Sequence, residues 1–136
     1  MIKIGIVDGK GGGLGRSIVS NLVEAKISNI EIIALGTNAF ATQAMLKAGA
    51  HNGATGENAI AHMAERVDLI IGPLAIIHSG SMMGEISAKI ANSISESKAE
   101  KILMPTSQCG IHIVDVKGSS LKILFLEIVE QVKKMI

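Results

Sequence analysis

Short runs of apolar, often β-branched residues alternate along the chain with longer segments whose apolar residues recur every three or four positions. The first kind of run predicts buried strands, and the second predicts helices that pack on a sheet. The predicted strands are residues 2–7, 30–35, 67–71, 101–104 and 111–116. The predicted helices are residues 14–26, 39–47, 57–66, 83–97 and a last helix, capped by Ser119 or Ser120, that ends at Met135.

This alternation predicts one α/β domain over residues 1–136, a three-layer Rossmann-like sandwich with a mostly parallel five-stranded sheet. Parallel neighbours need a crossover of about a dozen residues, and strands 101–104 and 111–116 are too close in the chain for one. The fifth strand is therefore expected to be an antiparallel edge strand. The last helix is apolar nearly all round at its start, which indicates either burial against the sheet or a homodimer contact. These residues are Leu121, Ile123, Leu124, Phe125 and Leu126.

Composition narrows the classes of partner. The 136 residues hold 13 Lys and Arg against 12 Asp and Glu, with two Phe and neither Trp nor Tyr. A chain that is so nearly neutral and so poor in aromatics is not expected to bind nucleic acid. Its single Cys and its scattered His residues predict no disulfide and no metal site. The most apolar run, residues 69–77, is far shorter than the roughly 20 residues of a membrane span. With an apparent strand where a signal peptide would stand, the expectation is a cytoplasmic protein.

Fifteen glycines raise the question of a binding site, and five of them lie within residues 9–15, where the first strand passes into the first helix. Glycine in such a loop permits a tight turn and close approach of a phosphate to the backbone, while the helix amino terminus supplies unpaired N–H groups. The alternative is a tight strand-to-helix turn without a ligand. The candidate binding residues here are Gly9, Lys10, Gly11, Gly12, Gly13, Leu14, Gly15 and Arg16.

The spacing of these glycines separates the known phosphate loops. A Walker A loop would need glycine where Lys10 stands and lysine where Arg16 stands, and a GxGxxG loop would need glycine at Leu14. The spacing Gly9-xxx-Gly13-Leu14-Gly15 resembles the nucleotide loop of short-chain dehydrogenases, which implies NAD or NADP as a cofactor. Those enzymes use a Tyr and a Lys for catalysis, and this chain has no Tyr.

Further candidates lie where other strands of a parallel sheet would end, since ligands bind outside the carboxyl ends of such strands. They are Thr37, Asn38, Thr55, Gly56, Asn58, Gly72 and Pro73. Thr37 and Asn38 replace the acid that usually binds a ribose; either can bond a ribose or its 2′-phosphate, or simply cap the next helix. Thr55 can likewise contact an anion or cap a helix. For catalysis the candidates are Glu57 as an acid or base, Cys109 as a nucleophile, and His78.

Several segments together resemble one known family. They are Ile6 to Gly15, Ala34 to Asn38, Met45 to Ala50, the Gly-Ala-Thr-Gly-Glu-Asn block that starts at Gly53, and Asp68 to Pro73. The chain is similar over nearly its whole length to small, functionally uncharacterised bacterial proteins, a domain of unknown function. The resemblance implies a stand-alone Rossmann-like protein and supplies no catalytic residues.

The sequence thus predicts a small Rossmann-like protein that binds the phosphate of a nucleotide or dinucleotide on its first glycine loop, with no reaction assigned. The alternative is a non-catalytic ligand-sensing or partner-binding domain that forms a homodimer through its last helix.

Overall fold

The computed structural model describes residues 1–105, 110–114 and 117–136. The strands in the described parts are β1 (Ile2–Asp8), β2 (Ile30–Gly36), β3 (Asn52–Thr55), β4 (Leu69–Pro73) and β5 (Glu100–Met104). The α-helices are α1 (Gly13–Glu24), α2 (Ala39–Lys47), α3 (Glu57–Ala64), α4 (Ala88–Glu96) and α5 (Leu121–Met135). Two short 3-10 turns, Leu74–Ile77 and Met82–Gly84, connect β4 to α4.

The five strands form one sheet in the order β3-β2-β1-β4-β5, and every neighbouring pair is parallel. Ile4 of β1 is opposite Ile32 of β2 on one side and Leu69 of β4 on the other. The chain reverses its direction of winding between β1 and β4. In a doubly wound sheet this switch point is where the loops at the carboxyl ends diverge and leave a crevice.

Side chains alternate between the two faces of the sheet, and each face has its own core. Ile4, Ile6 and Ile32 pack against α1, α2 and α5, while Ile33, Leu35 and Ile70 pack against α3 and α4. The strands carry apolar residues in succession because both faces are covered, as is typical of parallel sheets. The predicted α/β three-layer Rossmann-like sandwich is confirmed.

The predicted antiparallel edge strand is wrong. Of residues 111–116, the described ones, 111–114, do not form a strand, and His112, Ile113 and Val114 are exposed. The edge beyond β2 is formed instead by β3, whose segment the hydrophobic pattern left as a loop. β3 pairs with β2 through backbone groups from Ile33↔Asn52 to Gly36↔Thr55.

Two predictions about helix ends have different outcomes. Ser120 caps α5 by accepting a hydrogen bond from the Ile123 N–H, as expected. The predicted helix 83–97 begins later, at Ala88, because Met83 and Gly84 have left-handed φ values of 56° and 91°. Among the described residues, no helix combines the length and the apolar character needed to cross a bilayer.

Candidate functional site

The loops that follow β1 and β4 enclose a cavity of about 170 Å³ at the switch point of the sheet. Residues 9–14 form one wall of this cavity. The other wall is formed by Pro73 at the end of β4 and by Ala75 and Met82, which follow it. Of the predicted binding residues, the structure brings together Gly9, Lys10, Gly11, Gly12, Gly13, Leu14 and Pro73. We call residues 8–15 the glycine loop.

We call Asp8, Gly12 and Gly15 the floor of the glycine loop, and its centre is the buried carboxylate of Asp8. Asp8, the last residue of β1, is only 4% exposed. Its Oδ1 accepts a hydrogen bond from the Gly9 N–H at 2.8 Å, and its Oδ2 accepts one from the Gly15 N–H at 2.7 Å. Burial raises the pKa of the Asp8 carboxyl, and the two N–H groups partly offset that rise. The protein's own acid thus occupies one of the N–H groups at the amino terminus of α1.

Glycine is required by packing at two positions of this floor. Gly12 has φ 73°, and a Cβ there would lie 2.7 Å from the Ala41 Cα of α2. A Cβ at Gly15 would lie 2.6 Å from the Met45 Sδ and 2.9 Å from the Asp8 Cβ. These glycines let α1 approach β1 and α2 closely, whether or not a ligand binds.

The mouth of the glycine loop, formed by Gly11, Gly13 and Leu14, is different. A Cβ at Gly11 or at Gly13 would meet no heavy atom within 4 Å, and neither residue has a positive φ. Within the described residues, the N–H groups of Gly11, Gly13 and Leu14 have no hydrogen-bond acceptor. Three donors at the positive end of a helix can together bind an anion.

A carboxylate that the sequence did not single out lies beside this mouth. The Glu85 Oε1, from the segment before α4, accepts hydrogen bonds from the Lys10 N–H at 2.8 Å, the Thr37 hydroxyl at 2.6 Å and the Asn38 amide at 2.9 Å. The bond from Thr37 and then that from Lys10 hold the pKa of the Glu85 carboxyl below its usual range, against a smaller opposing effect of desolvation. The Glu85 carboxylate therefore links the loops after β1, β2 and β4.

The two residues after β2, Thr37 and Asn38, have structural roles, and one of these is the helix cap expected from the sequence. Asn38 caps α2, since its side chain accepts a hydrogen bond from the Ala41 N–H at 2.9 Å. The Asn38 amide also donates to the Lys10 carbonyl oxygen at 2.9 Å, which ties this loop to the glycine loop. The sequence has no acid directly after β2, but a carboxylate is present there in the structure. It belongs to Glu85, from a distant part of the chain, and accepts hydrogen bonds from Thr37 and Asn38.

The remaining predicted binding residues lie outside this cavity. The Thr55 hydroxyl donates to the Thr42 hydroxyl at 2.8 Å. Of the two alternatives for Thr55, the helix cap is wrong, since Gly56 is the residue that precedes α3. A Cβ at Gly72 would lie 2.5 Å from the Val7 carbonyl oxygen, which is a packing requirement. Asn58 is exposed on α3, and Arg16 lines a separate groove between α1 and α2.

The candidates for catalysis are not brought together around the cavity. The Glu57 carboxylate, in the first turn of α3, accepts a hydrogen bond from the Ser87 hydroxyl at 2.6 Å. His78 is half-buried, and its backbone N–H donates to the Ala75 carbonyl oxygen. Cys109 lies outside the described residues. The part of the chain that the structure describes has no cluster of three or more His, Cys, Asp or Glu residues suited to a metal ion.

The fold and the glycine loop together define a small doubly wound α/β protein with a glycine-rich loop at the carboxyl edge of its sheet. The chain belongs to the family described as domain of unknown function DUF3842, whose sequence profile matches residues 3–136. This confirms the resemblance to a domain of unknown function.

Comparison with individual proteins adds little to this assignment. No match is found among curated proteins. Among solved structures, the chain is similar to a dodecameric FMN-dependent UbiX-like decarboxylase from Escherichia coli O157:H7, at 15% identity and a TM-score of 0.48. The similarity covers 98% of this chain and 76% of that chain. At this identity and TM-score, neither the cofactor nor the assembly of that protein is carried over to this chain.

Proposed function

We propose that this protein binds a phosphate-bearing small molecule of the nucleotide class, with the phosphate at the mouth of the glycine loop. The observation that carries this proposal is the pair Gly11 and Gly13. Nothing in the described fold requires glycine at either position, yet glycine there leaves the N–H groups open to a ligand. A phosphate oxygen needs this kind of unobstructed approach to the backbone.

The electrostatics of α1 favour the same ligand. A helix amino terminus carries roughly half a positive charge, and hydrogen bonds from N–H groups to an anion are about twice as strong as neutral ones. Asp8 uses the Gly15 N–H, which leaves the N–H groups of Gly11, Gly13 and Leu14 for an external anion. The Lys10 side chain, which is exposed, adds a positive charge next to them in the chain.

The size of the cavity limits what it holds. Its volume of about 170 Å³ is below the roughly 300–1,000 Å³ of sites that enclose a drug-sized ligand. We therefore place a phosphoryl group in the cavity and the rest of the ligand outside it. NAD and NADP remain the leading cofactors, and the Thr37 and Asn38 side chains with Glu85 are the groups placed to meet a ribose. No reaction is assigned to the protein.

The test is a melt of dialysed protein against NAD, NADP, FAD, ATP, GTP and S-adenosylmethionine. A ligand at about 100 times its dissociation constant should stabilise the fold by about 2.7 kcal/mol. Gly13→Val should remove this stabilisation, because the valine side chain would stand where the phosphate approaches the backbone. The fold should tolerate the change, since a Cβ at this position meets no protein atom within 4 Å.

Ala88→Val is the matched control, since it also places valine on an exposed first residue of an α-helix. This variant should respond to the ligand as the wild type does. Circular dichroism should show all three proteins folded without ligand. The proposal is wrong if none of the phosphate-bearing compounds shifts the melt, or if Gly13→Val responds as fully as the wild type.

A second candidate function, association of two copies through α5, is favoured by exposed apolar side chains. Leu121, Ile123 and Leu126 are 58%, 55% and 53% exposed, while Ile128, Val129 and Val132 of the same helix are buried. The helix therefore has apolar residues on more than the one face that its own core uses. Exposed apolar surface of this kind is typical of an interaction site.

Light scattering of Leu126→Glu tests this second candidate. We expect the wild type to form a dimer and the variant a monomer, because a carboxylate would be buried in the contact without a partner. Lys89→Glu, at an exposed polar position of α4, is the control and should leave the mass unchanged. A monomeric wild type would contradict the idea.

A further inference from the structure

A groove of about 390 Å³ runs between α1 and α2, next to the glycine loop. Phe40, Gln43 and Lys47 lie along one side of it at positions i, i+3 and i+7, so they share a face of α2. Arg16 of α1 lies on the other side. This face of α2 does not enter the core, since the buried residues of the helix are Ala41, Thr42 and Met45.

Phe40 is the unusual member of this groove. The chain has only two aromatic side chains, and Phe40 is 81% exposed whereas Phe125 packs against the core. A phenyl ring contributes to stability through the apolar surface that it buries, so the fold gains little from Phe40. An exposed ring with free faces is suited instead to stacking on the flat face of an aromatic ligand.

The charges along the groove select for an anion. Arg16 and Lys47 both line it, and no Asp or Glu does so among the described residues. In the same described ranges, neither cation forms an ion pair with a carboxylate. The groove therefore combines an aromatic surface with two cations that form no ion pair in the described structure, which suits a molecule that carries both an aromatic ring and a negative charge.

The groove and the mouth of the glycine loop both border on the start of α1. Arg16 is three residues, less than one helical turn of about 5.4 Å, beyond Gly13. On the other side, a Cβ at Gly12 would lie 2.7 Å from the Ala41 Cα, so the loop contacts α2 beside Phe40. The cavity at the mouth is too small for a whole nucleotide, and this groove offers room for the remainder.

We infer that the groove between α1 and α2 receives the aromatic ring of the nucleotide, which stacks on Phe40, while the charges of Arg16 and Lys47 raise the positive potential felt by the neighbouring phosphate. This inference rests on the proposed function, because it requires the phosphate to be at the mouth of the glycine loop. It adds the part of the ligand that the loop cannot recognise. The ligand is then a compact nucleotide or the nucleotide half of a dinucleotide.

AMP and ribose 5-phosphate, titrated by calorimetry, separate the two ideas because they share the phosphate and the ribose but not the ring. We expect wild-type protein to bind both, with AMP bound more tightly. Phe40→Ala should weaken AMP about 5- to 150-fold, as expected for the loss of one base stacking on an aromatic ring, and should leave ribose 5-phosphate unchanged. Val114→Ala, which truncates an exposed apolar residue that does not line the groove, should change neither affinity.

Phe40→Trp provides a direct readout, since the chain has no other Trp and no Tyr. AMP should quench the fluorescence of this tryptophan by stacking on it, and ribose 5-phosphate should bind without quenching. The inference is overturned if AMP binds Phe40→Ala as tightly as wild type, or binds Phe40→Trp without quenching. If ribose 5-phosphate still binds and Gly13→Val abolishes that binding, only the role of Phe40 has failed. If neither compound binds the wild type, both proposals fail.

Discussion

Asp8, Gly12 and Gly15 lie in the same short loop as Gly11 and Gly13, yet the two groups differ in what surrounds them. The first three form a floor where a carboxylate is 4% exposed and where a Cβ on either glycine would lie less than 3 Å from another residue. Gly11 and Gly13 form a mouth with nothing within 4 Å of a Cβ. One loop thus contains glycines that the fold requires and glycines that it does not.

This difference explains why a glycine-rich loop is ambiguous in a sequence. Close packing of a helix on a strand and close approach of a ligand both favour the residue without a side chain. Only the surroundings of each position separate the two causes. In this protein the packing requirement accounts for Gly12 and Gly15, and binding is our explanation for Gly11 and Gly13.

The largest difference in stability should be between two glycine-to-alanine variants, one in the floor of the glycine loop and one in its mouth. Gly12→Ala should lower the free energy of unfolding by about 2–5 kcal/mol, because it combines a left-handed backbone with overpacking against Ala41. Gly13→Ala should be neutral or stabilise by up to about 1 kcal/mol, since the new methyl group has open space. Urea unfolding of both variants measures the difference, and equal effects would remove the distinction between floor and mouth.

A smaller effect is expected from Asp8→Asn. An asparagine side chain has only one oxygen, so it cannot accept from both the Gly9 and the Gly15 N–H groups, and one buried donor loses its partner. The expected loss of stability is about 1–3 kcal/mol. Asp68→Asn is the control, because Asp68 accepts a hydrogen bond from the Lys3 N–H at an exposed site. The role of Asp8 in the floor is refuted if the two variants lose the same small amount.

The smallest effect is a contrast in pH dependence between the two carboxylates. Burial raises the pKa of Asp8 in the folded protein, so the folded state binds more protons there and stability falls as pH rises through that range. Hydrogen bonds lower the pKa of Glu85, so its contribution is present above the usual pKa of a glutamate and is lost as pH falls through its folded value. The two groups thus act with opposite sign.

Chemical unfolding between about pH 3 and pH 6 can measure this contrast. Relative to wild type, Glu85→Gln should lose less stability on acidification, whereas Asp8→Asn should lose more of it. Glu57→Gln, at a carboxylate with a single hydroxyl donor, serves as the control. A change of the same sign in both test variants would show that the two carboxylates are not in different environments.

Much of the sheet could be predicted from the sequence, because strands that are covered on both faces are continuous runs of apolar residues. β1, β2 and β4 are of this kind. β3 has the sequence Asn-Gly-Ala-Thr, mostly exposed, and is held by backbone hydrogen bonds to β2, which leave no mark on the hydrophobic pattern. Residues 111–114 show the opposite error: their apolar residues predicted a buried strand, but Ile113 and Val114 are exposed.

In the candidate site, residues that are consecutive in the sequence could be predicted, and a residue from a distant part of the chain could not. The glycine loop could be found because its residues are consecutive and stand between a predicted strand and a predicted helix. Glu85 could not, because the residues that it contacts, Thr37 and Lys10, are 48 and 75 positions away from it in the sequence. A carboxylate next to the proposed anion site is also chemically unexpected, so no motif search for phosphate binding would look for it.

The position of Glu85 should let the site discriminate between small inorganic anions and a larger ligand. Its negative charge, held ionised beside the Lys10 N–H, repels chloride, sulfate and free phosphate alike from the neighbouring donors. We expect such simple ions to be retained poorly, because they offer nothing to offset that repulsion. A larger molecule with hydroxyl groups would donate hydrogen bonds to the same carboxylate, and these bonds would offset the repulsion. Such a molecule would therefore bind in preference to the more abundant simple ions.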